Sequence, residues 1–185
     1  MWNIPNSLTL SRIFMIPVLV MVYLYDSKWS NIASASIFAL AAITDWFDGY
    51  LARKLSQSSS FGAFLDPVAD KLMVSTALIL LVFAQGQNLL IVISAIVIIG
   101  REITISALRE WMAELGQRAN VAVSMLGKVK TFAQMGSITL LLYQDNLFTL
   151  PIFMIGEVLL IVSAVLTIVS MFIYLKAAWK VMKNT

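Results

Sequence analysis

From Leu72 to Gly100 the chain carries no Asp, Glu, Lys or Arg. About 20 apolar residues suffice to cross the hydrocarbon of a bilayer, and this stretch holds enough for two crossings. Its one polar interruption, Gln85-Gly86-Gln87-Asn88, reads as the turn between them. The rest of the 185 residues follow the same pattern: 60% are hydrophobic and 12% charged, against about 25% charged in an average soluble domain. Apolar segments predict six spans at residues 8–25, 31–52, 64–84, 89–107, 129–144 and 152–175, an all-α, polytopic antiparallel bundle forming one domain over 1–185. The first is expected to remain a helix rather than a cleaved signal, because Asp26, Ser27, Lys28 and Trp29 follow Tyr25 with no small-residue cleavage site.

The charges fix an orientation. With the amino terminus in the cytoplasm, Arg12, Arg53, Lys54, Lys71, Arg101, Arg109, Arg118, Lys128, Lys130, Lys176, Lys180 and Lys183 fall on or near that side, and only Lys28 lies opposite. Such asymmetry is the positive-inside pattern, so both termini are expected to be cytoplasmic. Trp29, Trp46, Trp111 and Trp179 stand near span ends, where interfacial anchors belong. The net charge of +3 is too small and dispersed to imply nucleic acid.

There is no Cys and no His. Disulfides, thiolate nucleophiles, imidazole bases and zinc sites built on those ligands are therefore excluded, and any catalytic metal must be a hard cation held by carboxylates, such as Mg²⁺, Mn²⁺ or Ca²⁺. Carboxylates are present where a span should have none. Asp45, Asp48, Gly49 and Ala52 share one face of the second span, and Gly62, Asp66 and Asp70 recur at i, i+4 and i+8 in the third. The short turn between these spans predicts antiparallel neighbours whose acidic stripes face each other, with Gly49, Ala52, Gly62 and Ala69 permitting close approach.

A helix cap at Asp66, before Pro67, and solvated surface charge are the plain alternatives. Against them, an ionised Asp well inside a span costs about 2.5–3.5 kcal/mol, and four converging carboxylates repel unless cations neutralise them. Carboxylates holding two divalent metals suit phosphoryl-group chemistry, and a carboxylate close by can take the proton of an attacking hydroxyl.

Written out, Asp45 to Asp70 is D-x2-D-G-x2-A-R-x8-G-x3-D-x3-D, which resembles the signature of the CDP-alcohol phosphotransferase family at every fixed position. The resemblance implies a six-helix membrane fold and transfer of a phosphatidyl group from CDP-diacylglycerol to an alcohol with release of CMP. It further implies that Asp45, Asp48, Asp66 and Asp70 hold two Mg²⁺ or Mn²⁺ ions, that Asp70 is the general base, and that Gly49, Ala52, Arg53 and Gly62 line the CDP-diacylglycerol pocket. A homodimer in the bacterial cytoplasmic membrane, its active site facing the cytoplasm, is expected on the same ground.

Asn3-Ile4-Pro5-Asn6-Ser7-Leu8-Thr9, Arg12, the stretch Gly100-Arg101-Glu102-Ile103 to Leu108-Arg109-Glu110-Trp111, and Gly127-Lys128-Val129-Lys130-Thr131 resemble the bacterial branch of that family whose acceptor is sn-glycerol 3-phosphate. A phosphorylated acceptor needs cations near the metals, and Arg101, Arg109, Arg118, Lys128 and Lys130 supply them on one side. Arg101 and Arg109 share a helical face, whereas Arg118, Lys128 and Lys130 read equally well as positive-inside charges. Glu102, Glu110 and Glu114 are expected to pair with these bases. Asn6, Thr9 and Arg12 lie at helical spacing in an amino-terminal segment expected to close over the nucleotide as an interfacial lead-in, with capping by Asn6 or Ser7 as the plainer reading.

Two rival functions remain. Another acceptor, such as serine, an inositol phosphate or phosphatidylglycerol, would leave the aspartates unchanged. A carboxylate-lined cation transporter or channel would instead want its acids near the midplane and on separate spans, whereas these flank one turn together with Arg53 and Lys54.

Overall fold

The computed structural model describes residues 4–25, 27–55, 60–114, 125–146 and 149–182, without the side chains at 4, 5, 46, 48–55, 60, 63, 125–128, 177 and 180–182. Six helices account for nearly all of it: α1 (Ile4–Leu24), α2 (Ser30–Leu55), α3 (Ser60–Ala84), α4 (Leu89–Glu114), α5 (Met125–Tyr143) and α6 (Ile152–Met182). Among the described residues α1, α3, α4 and α6 contain segments long and apolar enough to cross a membrane. No strand is present among them.

The helices outrun the predicted spans at the charged end. α4 continues past Ala107 to Glu114 and α6 past Leu175 to Met182. Hydropathy stops where charges begin, but a helix need not, because continuing it keeps each backbone N–H bonded to its i−4 carbonyl. Small polar residues inside the helices are handled locally. The hydroxyls of Ser36, Thr44, Thr104 and Thr139 each donate to the carbonyl four residues back, to Ile32, Leu40, Gly100 and Met135 respectively.

Packing closes a ring. α1 packs on α2 and α3, α2 on α5, α5 on α6, α6 on α4 and α4 on α3, while α3 also reaches α5. At its centre Leu19, Phe38, Ala77, Leu78, Leu81, Ile91, Ile98, Ile138, Leu141 and Leu160 are fully buried. Large side chains such as Phe14, Ile43, Phe83, Ile96, Phe132 and Phe172 face outward. A bundle apolar both inside and out is at home in lipid, where the outer face has no water to avoid. Trp29, Trp111 and Trp179 are exposed near helix ends, as expected of interfacial anchors; the side chain of Trp46 lies outside those described.

α2 and α3 are in contact among the described residues, and α1 packs against both of them.

Polar cross-links gather at the two ends of the bundle. At one end Gln144 donates to the Tyr23 hydroxyl at 3.1 Å, and Asn88 to Glu157 at 2.7 Å. At the other end, among the described residues, lie the ion pairs of Arg12 with Asp45 and of Glu102 with Arg101 and Lys130.

Candidate active site

α1 begins at Ile4, so Asn6, Ser7 and Thr9 are interior to a helix rather than capping it. Asn6, Thr9 and Arg12 fall at i, i+3 and i+6 on one face and are all buried. Neither the interfacial lead-in nor the cap describes them: they form the inner face of a packed helix. From that face Arg12 Nη1 donates to Asp45 Oδ1 on α2 at 2.6 Å, and the Thr9 hydroxyl donates to Asp66 Oδ1 on α3. The Arg12 side chain is 1% exposed and that of Asp45 42%, so the pair has a buried cation and an acid that still opens outward. A guanidinium so deep gives up its hydration, and the carboxylate partner offsets part of that cost.

Asp66 is likewise not a cap. α3 starts at Ser60, which leaves Asp66 and Pro67 inside the helix. Pro67 has no N–H for the carbonyl of residue 63, a lost bond that the surrounding packing must offset.

Asp45 and Asp70 line one small cavity with Arg12, Phe38, Ala41, Ala42, Met73 and Met135. Their oxygens, with one cationic and several apolar walls, are a donor set suited to a hard divalent cation. Among the described residues no group of three acids stands ready as a metal site; Asp48, the fourth expected ligand, has its side chain outside those described. So do Gly49, Ala52 and Arg53, while Gly62 is buried on α3.

Beside Asp45 a groove of about 540 Å³ runs between α2 and α5, lined by Ala42, Ile43, Thr131, Phe132 and Met135. Ile43 and Phe132 are exposed on the outer face, so the groove connects the acidic cavity with the surface that would meet lipid.

A second cluster joins α4, α5 and α6. Glu102 accepts from Arg101 Nη1 at 2.7 Å and from Lys130 Nζ at 3.2 Å, the pairing expected of it. Lys130, from the start of α5, is buried, which places it in the cluster rather than among loose surface charges. Arg101 Nη2 lies 3.4 Å from Ser170 Oγ, and Arg109 Nη2 donates to the Tyr174 hydroxyl at 3.0 Å. Arg118 and the side chain of Lys128 lie outside the described residues.

Lys71, directly after Asp70, donates to Ser106 on α4, and the Ser106 hydroxyl donates to the carbonyl of Glu102. The acidic segment of α3 is thereby tied to the basic segment of α4. Ser106, Ser170 and Tyr174 were not singled out as site residues from spacing. Arg12 was marked with Asn6 and Thr9 by the polar spacing of α1, whereas a Ser or Tyr within an apolar run offers no such signal.

Comparison with known proteins bears on the whole arrangement. The sequence model of the CDP-alcohol phosphatidyltransferase family matches residues 2–169. Over 177 residues, 96% of this chain and 95% of each relative, the chain is 51% identical to proteins named CDP-diacylglycerol--glycerol-3-phosphate 3-phosphatidyltransferase from Shigella flexneri and Escherichia coli. The protein of that name from Salmonella choleraesuis is 52% identical over the same length.

Proposed function

The chain belongs to the CDP-alcohol phosphatidyltransferase family, and from that premise we propose that it transfers the phosphatidyl group of CDP-diacylglycerol to sn-glycerol 3-phosphate, giving phosphatidylglycerol phosphate and CMP. The observation that carries this reading is the meeting of three surfaces at one end of the bundle: the Asp45–Asp70 cavity, the apolar groove beside it and the basic cluster of α4 and α5. A lipid donor, a reaction centre and a water-soluble phosphorylated acceptor each need one of them.

CDP-diacylglycerol enters from the side, its acyl chains along the groove between α2 and α5 and its diphosphate at the aspartates. Asn6, Thr9, Gly49, Ala52, Arg53 and Gly62 surround the nucleotide end, with Arg53 the direct phosphate contact. Asp45, Asp48, Asp66 and Asp70 would hold two Mg²⁺ or Mn²⁺ ions, which when bound neutralise the diphosphate and the charge developing on the departing CMP. Arg12 and Thr9 orient two of these carboxylates, Asp45 and Asp66, by charge-assisted hydrogen bonds.

Glycerol 3-phosphate arrives from the cytoplasm with its phosphate on Arg101, Arg109 and Lys130, helped by Arg118 and Lys128. Its hydroxyl oxygen bonds to the phosphorus that carries diacylglycerol, the bond from that phosphorus to the CMP oxygen breaks, and Asp70 takes the hydroxyl proton. No covalent enzyme intermediate is needed. The cytoplasmic membrane, six crossings, cytoplasmic termini and a homodimer complete this reading.

Purified protein in detergent, given Mg²⁺ and CDP-diacylglycerol, should release CMP with glycerol 3-phosphate and far less with serine, inositol phosphate or phosphatidylglycerol. No release with glycerol 3-phosphate would sink the assignment. Metal flux into proteoliposomes without CMP formation would favour a cation transporter instead.

A further inference from the structure

Arg101 and Arg109 are eight residues apart on α4, about 12 Å along the axis, yet both lean on the same aromatic ring. The Arg101 guanidinium carbon lies 5.9 Å from the centroid of Tyr174 on α6, and that of Arg109 lies 5.2 Å from it. Arg109 also donates to the Tyr174 hydroxyl at 3.0 Å. Two guanidiniums repel, and bringing them to one ring requires something to offset the repulsion. The ring face attracts each of them, and its hydroxyl lends Arg109 an acceptor.

The charge around this point does not balance. Glu102 is shared by Arg101 and Lys130, while Arg109 has no carboxylate partner among the described residues. Among the described residues these three cations thus share one ion-paired carboxylate. Arg101 Nε is also buried without a hydrogen bond among the described residues, although Nη1 and Nη2 are engaged. A donor left over, an excess of positive charge and two planar forks held at a set separation are what a phosphomonoester dianion would satisfy.

We infer that Tyr174 is a positioning residue for the acceptor: it fixes the spacing of Arg101 and Arg109 so that both guanidiniums engage the acceptor's phosphate. This rests on the proposed use of a phosphorylated acceptor, and it adds an α6 residue that bears no charge and touches neither the aspartates nor, by itself, the phosphate. Ser170, one turn earlier on the same helix, steadies Arg101 from below through its hydroxyl.

The test is the kinetics of the full chain in detergent with Mg²⁺ and CDP-diacylglycerol, comparing wild type with Tyr174→Phe and Tyr174→Leu. The first keeps the ring and its packing and loses only the hydroxyl; the second loses both attractions. The expected result is graded. KM for glycerol 3-phosphate rises about fivefold in Tyr174→Phe, the worth of one hydrogen bond, and about thirtyfold in Tyr174→Leu, where the ring contacts go as well. In both variants kcat and KM for CDP-diacylglycerol stay within about twofold, because nothing at the aspartates changes.

An unchanged KM for glycerol 3-phosphate in both variants overturns the role given to Tyr174. So does a loss that falls equally on kcat and on both substrates, which would mark a merely structural tyrosine. Wild-type CMP release that ignores glycerol 3-phosphate would overturn the acceptor reading itself, and the wild-type arm distinguishes that failure from the other two.

Discussion

Arg12 and Asp45, 33 positions apart on different helices, are joined by a 2.6 Å bond from a guanidinium that solvent barely reaches. Under the proposed function, that bond makes α1 part of the reaction centre. The first helix is the piece that holds α2 and α3 in register, and its inner face carries the groups that orient the carboxylates.

Replacing Arg12 should therefore cost both stability and chemistry. Arg12→Met leaves Asp45 without its partner and should lower stability by on the order of 2 kcal/mol, between an exposed and a fully buried pair, since Asp45 is partly open. Arg12→Lys keeps the charge without the planar fork and should recover part of the loss. Thermal unfolding in detergent measures this, and an unchanged midpoint in Arg12→Met would contradict it.

Thr9→Val preserves shape and removes the hydroxyl that donates to Asp66. A hydrogen bond to a charged acceptor is worth about 1.5–3 kcal/mol. If that energy orients Asp66 for the reaction, kcat/KM for CDP-diacylglycerol should fall by about tenfold or more, with KM for the acceptor little changed. Wild-type kinetics would mean that Asp66 needs no such guide.

Glu102→Gln removes the one acid shared by Arg101 and Lys130. Uncompensated cations should destabilise the variant by about 1–3 kcal/mol. An added anion that binds only the folded state then restores stability by mass action. Inorganic phosphate should accordingly raise the unfolding midpoint of Glu102→Gln more than that of wild type, and an equal rise in both would argue against an anion site there.

Chelation with EDTA should abolish CMP release, and Mg²⁺ or Mn²⁺ should restore it, because the site offers hard oxygen donors. Full activity in excess chelator would rule out the metal role of the aspartates.

Much of this was legible in the sequence because it depends on spacing within one helix. The charge-free run from Leu72 to Gly100 marked the apolar stretches of α3 and α4, and the spacing of Asp66 and Asp70 put both on one face of α3. Adjacent Arg101 and Glu102 foretold their own pairing. Contacts between helices were harder to read, since no period in the chain records that Arg12 meets Asp45 or that Thr9 meets Asp66. Chain order gave the contact of α2 with α3 but not that α1 packs against both. Pro67 suggested a helix start at Asp66, but α3 carries the proline inside it. Tyr174 sits in the long apolar α6 with nothing local to set it apart; only the convergence of two arginines on its ring does so.

The central claim is that a carboxylate at Asp70, in the cavity it shares with Asp45, takes the proton of glycerol 3-phosphate during phosphatidyl transfer. The direct measurement is turnover of Asp70→Asn beside Mn²⁺ binding by the same preparation. The account predicts that CMP and phosphatidylglycerol phosphate formation fall to background while much of the metal binding survives. Turnover at the wild-type rate in Asp70→Asn would contradict it.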